Sequence, residues 1–214
     1  MYIPAHFAAS PGAVQDLLAA PAAANLVTMT ANGMLATLLP LLYDPSGGEH
    51  GTLQGHLARN NRQWSEPVIG EALAIVQGAD AYISPTWYAS KAEHGRVVPT
   101  WNYSTAHVYG SLVIHDDPAW LAGHVRQLTD LNERRPEQPW SVDDAPERFI
   151  AGQLRAIVGV ELRISRIEAK TKLSQNRPAQ DIDGVVAGLK ASGKQASADD
   201  VERARPERCP AAGQ

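Results

Sequence analysis

The chain has 214 residues, 44% hydrophobic and 20% charged, with a formal net charge of −4. That size and balance make one compact domain with a sizeable core the default, and they exclude attraction to polyanions through bulk charge, so contact with nucleic acid would need a local basic patch or a basic dimer face. The single cysteine, Cys209, sits in a tail of Pro, Ala, Gly and charged residues, which excludes an internal disulfide framework and a cysteine-rich zinc site and fits a reducing cytoplasm. Met1-Tyr2-Ile3-Pro4 has neither the basic start nor the apolar run of a signal peptide, and Pro21 interrupts the alanine-rich stretch Ala19 to Ala24; a cytoplasmic chain without a membrane partner is expected.

Ser10-Pro11 reads as an N-cap followed by proline at the first helical position, opening a short helix through Leu18 that ends near Pro21. The runs Leu26 to Thr30 and Met34 to Leu38 flank Asn32-Gly33, a dipeptide suited to the positive φ angles of a tight hairpin turn. Further strands are expected over Gly51 to His56, Ala72 to Gln77, Ala81 to Ser84, Thr105 to Ile114 and Ile157 to Ile167, mostly antiparallel. Asp117-Pro118 opens a helix carrying Leu121, Val125, Leu128 and Leu131. Asp143-Asp144 with Pro146 opens another, carrying Phe149, Leu154 and Ile157. After Arg177 the chain turns small and polar, with a helix predicted from Asp181 to Leu189. Hairpin-linked strands with intervening helices point to a closed or nearly closed β sheet with helical additions, because closure removes exposed edges. The expected division is a domain over residues 1–190 and a loosely ordered or helical tail over 191–214.

Chemistry-bearing residues concentrate in four blocks: His56-Leu57-Ala58-Arg59-Asn60-Asn61-Arg62-Gln63-Trp64, Tyr82-Ile83-Ser84-Pro85-Thr86-Trp87-Tyr88, Pro99-Thr100-Trp101-Asn102-Tyr103 and Lys172-Leu173-Ser174-Gln175-Asn176-Arg177. Flat aromatic rings beside cationic and amide donors suit a planar ligand that carries a phosphate. Taken singly, each block has a structural reading: solvated arginines with a tryptophan closing the barrel, aromatics filling a core or interface, a strand exit stabilised by local hydrogen bonds. His6, His50, His56, His94, His107, His115 and His124 show no HExxH pattern or tight spacing with carboxylates, so no metal site is expected. GxSxG, GxGxxG and the phosphate loop ending in Gly-Lys-Ser/Thr are also absent, so a bound phosphate would rest largely on side chains.

The order of the motifs carries more than any one of them. Met1-Tyr2-Ile3-Pro4-Ala5-His6-Phe7, Gly55 to Asn60 with Gln63-Trp64, Tyr82 to Pro85 with Trp87-Tyr88, Lys91, Val98 to Tyr103 with His107, and Lys172 to Arg177 together resemble the PaiB family of FMN-binding negative transcriptional regulators, from Met1 to about Gly188. The resemblance implies a mainly β fold, a split β-barrel of the FMN-binding type with peripheral helices, assembled as a homodimer with ligand sites between subunits. It implies FMN as cofactor, with Arg59, Asn60, Lys172, Ser174 and Gln175 toward the phosphate and ribityl chain and Tyr82, Ser84, Trp87 and Trp101 nearer the ring.

Three functions follow from it: a flavin-binding regulator that senses flavin or redox state and represses transcription on DNA, an FMN-dependent oxidoreductase using NAD(P)H, and a haem-binding split-barrel protein with an axial histidine. For the second, His56 or His107 would be the proton donor if near the flavin. Against direct DNA reading, the run Pro118 to Asn132 has only His124 and Arg126 as basic residues, and no helix-turn-helix is evident.

Overall fold

The structure is a computed structural model that describes residues 1–20, 22–134 and 137–206. Seven strands pair in the order β2-β1-β5-β6-β7-β4-β3: β1 (Ala23–Thr30), β2 (Gly33–Pro40), β3 (Leu42–Asp44), β4 (Thr52–Ala58), β5 (Ala72–Ile83), β6 (Thr100–His115) and β7 (Ile157–Lys172). The helices are α1 (Pro11–Ala19), α2 (Ser90–His94), α3 (Pro118–Asn132), α4 (Glu147–Arg155), α5 (Ala179–Ala191) and α6 (Gln195–Arg203). Pairing is antiparallel between β1 and β2, β1 and β5, β3 and β4, and β4 and β7. The chain forms two compact units, each assembled from separated stretches: residues 1–13, 77–105 and 169 onward in the first, 14–76 and 106–168 in the second.

Several local expectations shift. The hairpin loop is Ala31-Asn32, and Gly33 already pairs with Thr30. Only the glycine takes a positive φ there, +108°, while the Thr30 hydroxyl accepts from Asn32 N at 3.1 Å and donates to Gly33 O at 2.9 Å. A side-chain-braced turn thus replaces one that needs two left-handed residues. The two short runs 72–77 and 81–84 are one strand, β5, and β6 and β7 reach Thr100 and Lys172, beyond the expected ends. Polar residues at inward positions, Asn102 and Ser104, hide the alternation that would have announced the extension.

The helix expected from Asp143 begins only at Glu147. Asp143 and Asp144 instead belong to a 3₁₀ turn capped by Ser141, whose N–H donates to Asp144 at 2.8 Å. Pro146 holds Ala145 extended (ψ 149°), which bars the helix from starting earlier, and Ile157 opens β7. α1 closes at Ala19. Pro21, expected to stop it, lies outside the described residues, as do Cys209 and the tail beyond 206. Within the stretch expected to be loosely ordered or helical, α6 occupies 195–203.

In the first unit, Ala81 and Ile83 of β5 and Leu173 just past β7 meet Ile182, Val185, Val186 and Leu189 of α5 and Ala198 and Val201 of α6. Asp181, buried at the start of α5, accepts from Ser90 N at 2.9 Å and Ser90 Oγ at 2.7 Å and ties the helix to α2. Trp87 lies on α5 at Gly184 and Gly188, where any Cβ would overlap its carbonyl or indole. In the second unit the buried apolar residues include Leu26, Leu53, Leu57, Val108, Leu121, Val158, Val160 and Leu162.

Glycine position therefore decides the sign of a substitution. Gly188→Ala drives a methyl into the Trp87 ring and is expected to lower stability by about 1–3 kcal/mol, as overpacking does. Gly123→Ala, in α3 with nothing within 4 Å of the added carbon, is expected to raise it by about 0.5–1 kcal/mol through helix propensity. Opposite shifts in the thermal unfolding midpoints of the two variants check this.

Candidate functional site

Alternation along strands builds the site. In the first unit, Ala81 and Ile83 of β5, Asn102 and Ser104 of β6 and Leu173 just past β7 are buried. The intervening residues point to the other face: Tyr82 from β5, Trp101 and Tyr103 from β6, Lys170 and Lys172 from β7. Tyr82 and Trp101 are exposed and meet edge to face, with centroids 6.2 Å apart. Lys172 Nζ donates to Trp101 O at 2.9 Å and to the Thr100 hydroxyl.

Lys170 and Arg177 both lie close enough to Lys172 to act on its charge. Lys170 Nζ lies 5.5 Å from the Tyr103 ring, 5.8 Å from Phe7 and 5.9 Å from Tyr2, within cation–π range of all three, and Lys172 Nζ lies 6.0 Å from Tyr103. Arg177 covers the Tyr88 ring at 4.8 Å. Partial burial, together with the charges of Lys170 and Arg177, holds the Lys172 ammonium below its ordinary value. Among the described residues none of these three cations forms an ion pair with a carboxylate, a condition shared with Lys91, Arg96, Arg134, Arg148, Arg155 and Lys194 but not with Arg59, Arg62, Arg126, Arg163, Arg166, Lys190, Arg203 and Arg205. What sets the three apart is that Lys170 and Arg177 lie within reach of the Lys172 charge. Like charges kept together with no carboxylate between them form a place for an anion. Lys170 stands outside the sequence blocks, and Thr100, Tyr103 and Arg177 stand within them without an assigned role, although the spacings Lys170-x-Lys172 and Trp101-x-Tyr103 mark one face of neighbouring strands.

The remaining candidates of the first unit shape the backbone around this face. Ser174 is the only non-glycine among the described residues with positive φ, at 64°. Its hydroxyl is held by Asn102, which donates at 2.9 Å through Nδ2 and accepts at 3.2 Å through Oδ1. Gln175 staples the same loop, accepting from Leu173 N at 2.7 Å and donating to Thr171 O at 2.6 Å. Ser84 caps the 3₁₀ turn Pro85–Trp87, accepting from Thr86 N. Trp87 is spent on α5.

Arg59 and Asn60 lie in the second unit. Arg59 donates through both terminal nitrogens to Asp116, at 3.1 and 2.5 Å, through Nε to Arg155 O at 2.7 Å and through Nη2 to Ile157 O at 2.9 Å. The hydrogen bonds from Arg59 hold the Asp116 carboxyl below its ordinary range. Asn60 is exposed in the turn that follows. The rest of that block is architectural. Asn61 caps a 3₁₀ turn, Trp64 Nε1 donates to Arg59 O at 2.8 Å, and the buried Gln63 amide donates to Leu26 O, Thr28 Oγ1 and Leu35 O across the β1–β2 hairpin.

His56, proposed above as a proton donor, is half-buried and faces His124, with Nδ1 3.1 Å from Nε2. His107 is half-buried on β6. Among the described residues no group of three or more His, Cys, Asp or Glu is placed to hold a metal ion, and no helix is long and apolar enough to cross a membrane.

Comparison with known proteins bears on this arrangement. The family described as "Putative FMN-binding domain" matches residues 1–166. Protease synthase and sporulation protein PAI 2 of Bacillus subtilis is 31% identical over 193 residues, covering 88% of this chain and 89% of its own length. Among solved structures, the FAD and heme binding protein of Mycobacterium smegmatis aligns with a TM-score of 0.53 at 16% identity, over 76% of this chain and 71% of that one. The flavocytochrome Anf3 of Azotobacter vinelandii aligns with a TM-score of 0.51 at 16% identity, over 76% and 67%. The fold is thus the mainly β, split-barrel type with peripheral helices that the motif order implied. The chain belongs to the PaiB family of FMN-binding domains, whose cofactor is FMN.

Proposed function

We propose that the chain is an FMN-binding regulator of the PaiB type and that the outward face of β5, β6 and β7 in its first unit receives the cofactor. The observation that carries this reading is the convergence of Lys170, Lys172 and Arg177, unpaired with carboxylates, beside the exposed rings of Tyr82 and Trp101. FMN presents a dianionic phosphate at one end and a planar tricycle at the other, and the residue types match both. Lys172, Lys170 and Arg177 hold the phosphate. Trp101 and Tyr82 meet the ring, while Asn102, Ser174, Gln175, Ser84 and Trp87 fix the loops around it. Arg59 and Asn60 shape the second unit, because Asp116 and two carbonyls already engage the Arg59 guanidinium.

A homodimer accords with the apolar rings and chains left at the surface: Tyr82, Val98 and Trp101 in the first unit, Met29, Met34, Leu38 and Ile69 in the second. Regulation acts without α3 reading DNA, since Arg126, the helix's one arginine, is engaged by Asp143 at 2.7 and 2.5 Å. The single cysteine suits the cytoplasm.

Titration of the purified protein with FMN, followed by flavin absorbance and fluorescence, tests the assignment. A charge-assisted hydrogen bond contributes roughly 1.5–3 kcal/mol, so Lys172→Ala is expected to weaken FMN about 10- to 150-fold, and Lys170→Ala to weaken it in the same direction. Wild-type affinity in both variants would move the phosphate elsewhere. Arg59→Ala is expected to lower the unfolding midpoint and leave FMN affinity unchanged. Because the Lys172 ammonium is held below its ordinary 10.5, affinity is expected to fall as pH rises through that depressed value, and Lys172→Arg should abolish the fall, since a guanidinium stays charged throughout.

A further inference from the structure

In the second unit three histidines gather around one tryptophan. His56 comes from β4 and the buried His124 from α3, their facing nitrogens 3.1 Å apart. Trp120, one turn earlier on α3, stacks on His124 with centroids 5.3 Å apart and planes 17° apart, and on His115 at 4.2 Å and 5°. Gly159 of β7 admits the indole, since a Cβ there would overlap it. The seat of α3 on the strands is therefore a stack of rings closed by one hydrogen bond between imidazoles.

Proton counting shows what that bond tolerates. A neutral imidazole carries one N–H and one lone pair, so two neutral rings share a single N–H···N bridge. A first added proton can enter at the half-buried His56, which then donates to the lone pair of His124. A second leaves N–H facing N–H across 3.1 Å, with two positive charges side by side. His124 Nδ1 is buried with no hydrogen-bond partner, so its ring has no other outlet.

Among the described residues, no carboxylate is placed to offset the charge of His124. β4 brings His56 itself. At the end of β6, His115 Nε2 lies 3.4 Å from Glu161 of β7, a contact of ion-pair length that is not aligned as a hydrogen bond, and Arg163 also engages Glu161 at 2.8 Å. The 3₁₀ turn carries Asp143, paired with Arg126, and Asp144, which caps its own turn; α4 carries Glu147, Arg148 and Arg155. Of these groups, only His56 bears on the charge of His124.

We propose that the His56–His124 pair is an acid-release latch for α3: neutral, it seats the helix on β4, and doubly protonated, it drives the helix off and uncovers Leu121. Burial lowers the affinity of both rings for protons, and His124, with the charge of His56 added, is pushed down to about 4. In the unfolded chain both rings return to about 6.5. Folded-state values below unfolded ones mean that the unlatched form binds more protons, so the stability of the seat is complete above pH 6.5 and is lost as pH falls from there toward about 4.

Hydrogen exchange of the full chain, corrected for the intrinsic pH dependence of exchange, tests the latch. Peptides from α3 should lose protection as pH drops from 7 to 4.5 while those from α5 keep theirs, and His124→Gln should shift the loss to lower pH. Unchanged α3 protection across that range, or the same midpoint in wild type and variant, would overturn the proposal. Should His124→Gln fail to fold, the ring signals of His124 in the wild type decide it: they should stay those of a neutral imidazole below pH 5, and titration at the ordinary value of 6.5 would sink the latch.

Discussion

A strand can place successive side chains only on opposite faces, and in the first unit that constraint sorts the chemistry. Along β5, β6 and β7 one set of residues, Ala81, Ile83, Asn102, Ser104 and Leu173, is buried, with the apolar members packed under α5 and α6. The alternate set, Tyr82, Trp101, Tyr103, Lys170 and Lys172, is then left outside as one surface of rings and ammonium groups. Slipping β7 by one residue would bury its lysines, and slipping β5 would bring Ala81 and Ile83 to the surface. The register that folds the unit is thus the register that assembles the proposed cofactor face.

The second unit uses similar residue types for a different end. Arg59, Asn61, Gln63 and Trp64 make hydrogen bonds that close loops and bolt strands, with Gln63 alone bonded to Leu26, Thr28 and Leu35. The contrast between Arg59 and Lys172 is instructive. Both end a strand in a motif rich in polar donors, yet one guanidinium is satisfied by Asp116 and carbonyls, while the other cation has a hydroxyl, a carbonyl and no carboxylate.

Much of the fold was legible in the sequence, and the limits are physical. The β1–β2 hairpin, α1, α3 and the run of strands followed from alternation, capping and proline placement, and the motif order pointed to the family. Strand ends were not legible where polar residues occupy inward positions, as at Asn102 and Ser104, because burial there rests on pairing with distant partners rather than on hydrophobicity. Among the candidate site residues, Tyr82, Trp101 and Lys172 were implied by the family resemblance, and their ring and ammonium groups suit a planar anionic ligand. Ser174, Gln175 and Ser84 were noticed for their hydrogen-bonding groups, but what those groups bond to depends on tertiary contacts. Lys170 stands outside the motif blocks because a lone lysine normally signifies a solvated surface, and Arg177 carries no role within its block; what singles both out is their nearness to Lys172.

The left-handed backbone at Ser174 has a consequence for recognition. Few side chains accept φ near 64° without a local anchor, and here the Asn102 amide and the Gln175 staple provide it. The segment between Lys172 and Arg177 is therefore preorganised: the entropy of arranging it is lost when the protein folds, not when an anion arrives. In the proposed site, a rigid cradle of this kind would favour a single encounter geometry and discriminate by shape as well as by charge, so an anion of the same valence but different span would find the cations already set at the wrong separation.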